Sequence, residues 1–337
     1  TGVQTCALPI CFGGTLDGAY DLTLNPESGN ITFSGVVGGE TRIGALTIES
    51  AANVTATAAI NAASITQEAG TGTTTFVAID TDAAAGISLT GASFALNGAV
   101  TTANAGPVTV VNSGTLTVAS AVTADGAFTQ SGSGAVTLSA NVTTTGDAVQ
   151  FAGAVTLGVD VAVATAGGDI TFDSTVDGAQ SLTLTAGAGD ITLGDAVGGT
   201  TAVTALSVTG AAVALDGAVA GGAVTVVNSG ALTVAGDMSL TGAFDQSGGG
   251  AVTLSADITT DGDAISFTNA VTLGADVAIT SAGGDITFSG TVDGAQGLTL
   301  TAGTGNITLS GAVGSGARLG AVEITSGAAV TTAAITA

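Results

Sequence analysis

A short phrase, G-[DN]-I-T-[FL], occurs at 29–33, 168–172, 189–193, 284–288 and 305–309, and neighbouring copies keep one constant step, from 168 to 189 and from 284 to 305. Large apolar residues keep that step, from Phe12 to Phe33, from Phe151 to Phe172 to Leu193, and from Phe267 to Phe288 to Leu309. Between them, apolar positions start new segments in a 6, 6, 9 rhythm: Ile265, Val271, Val277, Ile286, Val292, Leu298, Ile307. Each segment reads apolar-Thr-apolar, which alternates with period two and suits a half-buried strand. β-Branched residues fit that pleated surface, and Gly, Asp, Asn and Ser punctuate it as turn chemistry requires. No helical period persists.

Three short strands per step, with large side chains returning in register, imply a coil. The expected fold is therefore all-β: a right-handed parallel β-helix (solenoid) with about 21 residues and three short strands per coil. Successive coils would be spaced by about 4.8 Å. Handedness rests on the general preference of parallel crossovers. The expected interior ladder is Phe12, Phe33, Phe151, Phe172, Leu193, Phe267, Phe288 and Leu309.

A longer period overlies the short one. VTVVNSG at 108–114 returns at 224–230, GGDITF at 167–172 returns at 283–288, and TVDGAQ at 175–180 returns at 291–296, each displaced by 116 residues. The stretch 16–39 matches 176–199 at a displacement of 160, so 44 extra residues fall within roughly 51–107. This gives a single solenoid over 12–337, with a partial copy at 12–50, extra coils at 51–107 and copies at 108–223 and 224–337. A string of immunoglobulin-like sandwiches of 116 residues is the rival. It would not tolerate an insert of two coils, which a solenoid accepts because contacts run only between neighbours. Residues 1–10, TGVQTCALPI, break the pattern and resemble the translation of a sequencing adapter; they are set aside, and with them Cys6. Cys11 stands beside that junction, so no disulfide or redox compartment is inferred.

These phrases, and a Thr-rich, Gly-rich composition without Lys, resemble the large repetitive bacterial surface proteins of the filamentous-haemagglutinin and autotransporter-passenger type. The resemblance covers nearly all of 12–337. It implies export to the cell surface, or secretion, and a stalk or adhesin role, with glycans or proteins of host or neighbouring cells as partners. Both ends of the chain read as truncated within a longer protein.

Composition excludes several other roles. With 26 acidic residues against Arg42 and Arg318 alone, the formal charge is −24, which repels phosphate backbones and anionic membranes. The chain has no His, hence no imidazole base or His metal ligand. No stretch suits a membrane helix, and aromatic girdles for a membrane barrel are lacking. Nucleic-acid partners and membrane insertion of this segment are not expected.

Candidate chemistry is sparse. Asp80 with Asp82, and Asp261 with Asp263, could be carboxylate pairs of a polysaccharide-cleaving β-helix; corner and solvent-face Asp is the plainer reading. Asp169 and Asp190, and likewise Asp285 and Asn306, lie one coil apart and are weak Ca²⁺ candidates. Their plainer role is an Asx corner bonding local N–H groups. Thr183 with Thr185 and Thr299 with Thr301 resemble the Thr-x-Thr ranks of ice-binding solenoids, though the ranks are short. Arg42 and Arg318 occupy equivalent positions, with Ala202 at the matching site of the middle copy; a local ion pair is expected for each Arg. No catalytic residue and no cofactor are assigned. The expected function is a non-enzymatic stalk or adhesin segment, with a polysaccharide-binding or polysaccharide-cleaving β-helix as the first alternative and an ice-binding solenoid as the second.

Overall fold

A computed structural model of the chain describes residues 8–337; among these, every regular element is a strand and the strand pairings are parallel. The chain is an all-β parallel solenoid. Of the ten N-terminal residues set aside on sequence, 1–7 lie outside the described residues, whereas Ile10 opens the strand Ile10–Phe12, paired with Ile31–Phe33. Chain contacts divide at Asp169 and Ile170 into two compact units.

Each unit is wound from three strand ladders. In the first unit, one ladder stacks Ile10, Ile31, Val54, Thr74, Phe94, Leu116, Val136 and Val155. A second passes through Leu16, Val37, Ile60, Ile79, Val100, Val122, Val142 and Val163. The third runs through Leu22, Leu46, Ile65, Ile87, Val108, Phe128 and Val149. Turn length varies: Val136 to Val155 is a short turn and Leu22 to Leu46 a long one. Corners absorb the difference while the strands stay in register. The segment 51–107 is wound into these same ladders, Val54 under Thr74 under Phe94.

The second unit repeats the plan. One ladder runs from Ile170 through Ile191, Val213, Leu232, Val252, Val271 and Val292 to Val313. Another runs from Leu182 through Leu206, Val224, Phe244, Ile265, Ile286 and Ile307 to Val330. The third passes through Val176, Val197, Val219, Met238, Ile258 and Ile279. Ile170 and its sequence equivalent Ile286 therefore belong to different ladders. Seventeen strand positions carry the chain from one to the other, and seventeen is not a multiple of three. The 116-residue repeat thus falls one strand short of six turns.

Alternation sets the packing. In the strand Ile286–Phe288, Ile and Phe are wholly buried and Thr287 faces outward. The aromatic rings form several short stacks rather than one column. Phe12 lies on Phe33 with centroids 5.3 Å apart, and Phe267 on Phe288 at 4.9 Å, both nearly parallel. Phe172 pairs with Leu193, and Phe288 with Leu309. Phe128 meets Phe151, and Phe244 meets Phe267, at tilts of 45° and 43°. Not all Thr face water. In the strands Val100–Thr102, Val142–Thr144 and Ile258–Thr260 the last Thr points inward, and buried Thr144 and Thr260 donate to the carbonyls of Asp147 and Asp263, satisfying corner groups that would otherwise be stranded.

Corner chemistry explains the TVDGAQ-like phrase. Asp17, Asp177 and Asp293 each accept two backbone N–H groups from the following coil: Glu40 and Thr41, Thr200 and Thr201, Gly316 and Ala317. The next residue is always Gly at positive φ, Gly18, Gly178 and Gly294 at 126–134°, a backbone state a Cβ disfavours. One repeat imperfection is also visible. GAAV at 210–213 recurs at 327–330, displaced by 117 rather than 116, and the register against the strand Ala321–Ser326 shifts by one residue between Leu300 and Thr301. The extra residue is a β-bulge.

Candidate functional site

The most developed charged cluster lies in the first unit around Arg42. Its guanidinium pairs with Asp80 and reaches Asp82 with Nε to Oδ2 at 3.2 Å. Nη1 also donates to the carbonyl oxygens of Ala62, at 3.0 Å, and Asp80, at 2.7 Å. Asp80 is the outward residue of the strand Ile79–Thr81, and Asp82 follows that strand directly. Both come from 51–107, so the extra coils supply the partners of Arg42. Thr101, stacked above Asp80 in the same ladder, donates its hydroxyl to the Asp80 carboxylate. Partial burial pushes the Asp80 carboxyl up, but Thr101 and Arg42 more than offset that and hold it below its ordinary value. A glycosidase general acid needs the opposite shift. Arg318 makes a different contact, donating to the carbonyl of Ala337 at 3.1 Å.

A carboxylate stabilised in the folded state contributes above its unfolded pKa, and the contribution disappears as pH falls through the lower folded value. The difference in melting temperature between the wild type and Asp80→Asn should therefore be complete near about pH 6 and shrink below about pH 4. Because the pair is partly exposed, the full effect is no more than about 1 kcal/mol. Thermal melts followed by circular dichroism would check this; a difference independent of pH would contradict it.

The other carboxylates act mostly on backbone. Asp190 accepts the N–H of Ala212 at 2.8 Å, and Asp285 that of Asn306 at 2.7 Å together with the Asn306 side-chain amide at 3.2 Å. Two of the four calcium candidates, Asp190 and Asp285, thus sit in Asx corners, Asn306 donates to Asp285, and Asp169 is exposed at the end of the first unit. Among the described residues, no group of three Asp, Glu, Cys or His converges as a metal site would require. Asp261 and Asp263 are exposed on either side of Gly262, which has φ of 95°.

Outward Thr form single files. In the first unit Thr117, Thr137 and Thr156 stack in one ladder, and in the second Thr233, Thr253 and Thr272 do so. Double ranks do not continue: Thr183 is followed by Ser207, and Thr299 lies between Ala278 and Glu323.

Two buried polar pairs were not singled out on sequence. Gln130 donates to Asn112 at 2.7 Å, and Gln246 donates to Asn228 at 2.8 Å, with all four side chains at most 1% exposed. Gln130 also accepts the N–H groups of Ala152 and Gly153, at 3.0 and 2.9 Å. Asn112 and Asn228 donate to the carbonyls of Gly114 and Gly230. The signal was present: VVNSG, and Phe-x-Gln-Ser at 128–131 and 244–247, recur at the same 116-residue spacing. These pairs close the corners from within. A shallow depression of about 400 Å³, lined by Glu68, Thr90, Val111, Ser113 and Ser133, lies outside the first pair. No helix is long and apolar enough to cross a membrane. No protein-family profile, curated protein or solved structure matches the chain.

Proposed function

We propose that this chain is a non-enzymatic structural segment, a stalk or adhesin portion, of a large secreted or cell-surface bacterial protein. The observation that supports it most is the sameness of the surface: coil after coil presents small or polar outward residues, Thr most often, over an apolar interior. Arg42, Asp17 and Gln130 spend their hydrogen bonds on nearby coils of the chain itself. The lowered Asp80 carboxyl favours a structural over an acid-catalytic role. Strong negative charge would keep neighbouring copies apart and soluble. Surface glycans or proteins of other cells are the partners such a segment would meet.

Displayed between a surface anchor and a terminal epitope, the chain should hold the epitope within reach of antibody-coated beads. A Gly/Ser linker of equal residue count, which is a collapsed coil, should capture far fewer. Equal capture would overturn the stalk reading, and release of reducing sugar ends from a polysaccharide panel would overturn the non-enzymatic one.

A further inference from the structure

The chain contains one Asn-Gly step, Asn97–Gly98. It turns the corner between the strands Ser93–Leu96 and Val100–Thr102, where the backbone N–H of Asn97 donates to the carbonyl of Phe76 at 2.8 Å. The Asn97 side chain is exposed. Among the described residues, neither that side chain nor the Gly98 N–H has a hydrogen-bond partner. Five Asp-Gly corners differ. Gly18, Gly126, Gly178, Gly262 and Gly294 donate their N–H groups to the carbonyls of Thr41, Gly106, Thr201, Ser281 and Ala317, at 3.0–3.2 Å. A Cβ at Gly98 would fall on the carbonyl oxygen of Val77. The residue after Asn97 therefore has to be Gly, which hinders approach to the Asn97 side chain least.

The second unit holds the same corner with one atom group changed. LNGAV at 96–100 recurs as LDGAV at 215–219. Asp216 donates its backbone N–H to Leu193 at 3.0 Å, and the Gly217 N–H is likewise without a partner. The corner thus accepts a carboxylate where Asn97 carries an amide. We propose that Asn97 is a self-modifying site, at which the folded chain deamidates without an enzyme. The Gly98 nitrogen bonds to Cγ of Asn97 as the Cγ–Nδ2 bond breaks, and Nδ2 leaves as ammonia with the Gly98 amide proton. Water then opens the cyclic imide, and the ring nitrogen regains a proton. Attack at Cγ breaks the new bond and leaves aspartate. Attack at the Asn97 carbonyl carbon leaves isoaspartate, whose main chain runs through Cβ and Cγ and is one atom longer. Both products add a negative charge. Aspartate reproduces the Asp216 corner. Isoaspartate forces an extra atom into a corner where Gly98 already lies against the Val77 carbonyl, so it should loosen the two strands that meet there. The mark is irreversible and accumulates with age. This inference rests on the corner alone and not on the stalk reading.

The test keeps the whole folded chain in warm, mildly alkaline buffer beside a free peptide spanning 92–102. Peptide mass spectrometry should find loss of the Asn97 amide in both, with both aspartate and isoaspartate formed. Asn104 is also exposed, but its Nδ2 is held by the Asp82 carbonyl, and it should stay intact. Hydroxylamine, which opens a cyclic imide by cutting the chain, should split the folded protein between Asn97 and Gly98 and leave Asn97→Asp whole. Hydrogen exchange in the strands Ser93–Leu96 and Val100–Thr102 should be faster in the isoaspartate fraction than in Asn97→Asp. An Asn97 that persists in the folded chain while the peptide deamidates, or loss at Asn104 as fast as at Asn97, would overturn the proposal. Equal cutting of Asn97→Asp would do the same.

Discussion

Phe267→Ala is expected to destabilise the second unit by about 3–5 kcal/mol, the usual cost of removing a fully buried aromatic side chain and leaving its cavity. Phe267 has no solvent exposure and is held between two rings, Phe288 at 4.9 Å and Phe244 at 5.1 Å. A coil rests only on its neighbours, so the loss should stay local. Hydrogen exchange should accelerate at amides in the strands Phe244–Gly248, Ile265–Phe267 and Ile286–Phe288. The strand Ser181–Thr185, several turns away, should change little. A global unfolding midpoint locates this loss less sharply than exchange does, because long repeat arrays depart from two-state behaviour. Uniform acceleration along the whole unit, or a local change below about 1 kcal/mol, would contradict the neighbour-by-neighbour packing.

Gln246→Leu should be nearly as damaging for the opposite reason. The substitution preserves bulk but strands the Asn228 carbonyl oxygen in a site with no access to water. It also removes the Gln246 donor from the carbonyl of Ser247, at 3.1 Å. Each buried polar group left unmatched costs about 1–3 kcal/mol. Adding Asn228→Leu removes the stranded oxygen but also the donor to the Gly230 carbonyl, so the double variant should lose less than the sum of the two single losses. Hydrogen exchange at the amides around the pair, compared across the two single variants and the double one, gives the coupling locally. Additive losses would mean the amides do not act as a pair.

Much of this architecture could be read from the chain. The regular return of Phe12 to Phe33 and of Phe267 to Phe288 is a true coil-to-coil contact. The outward placement of Thr in apolar-Thr-apolar segments follows from pleating alone. Assignment to a particular ladder could not be read in the same way. Turns vary from the short lap between Leu206 and Val224 to the long one between Leu22 and Leu46, so a fixed offset does not identify which strands meet. For that reason Phe76, Phe94, Phe128 and Phe244, all fully buried, do not stand out at one constant spacing. The Arg42 cluster was half legible. Two carboxylates on alternate residues marked Asp80 and Asp82, and an ion pair was expected at Arg42, but the 38 residues between Arg42 and Asp80 span two coils of unequal length. Asn112 and Gln130 are only 18 residues apart, less than a full turn. They meet because Asn112 ends its strand and leans over the corner, a geometry that hydrophobic patterning does not encode.

The mismatch between the 116-residue block and the winding has a consequence for how such a protein grows. Within the second unit the block advances five and two-thirds revolutions, so the place of Ile170 is re-presented by Ile286 a third of a circumference away, and a fourth copy wound in the same way would regain the bearing of the first. Lengthening by this block distributes its surface chemistry evenly around the axis instead of lining it up along one side. A partner approaching along one side of such a lengthened solenoid would then meet one copy in three.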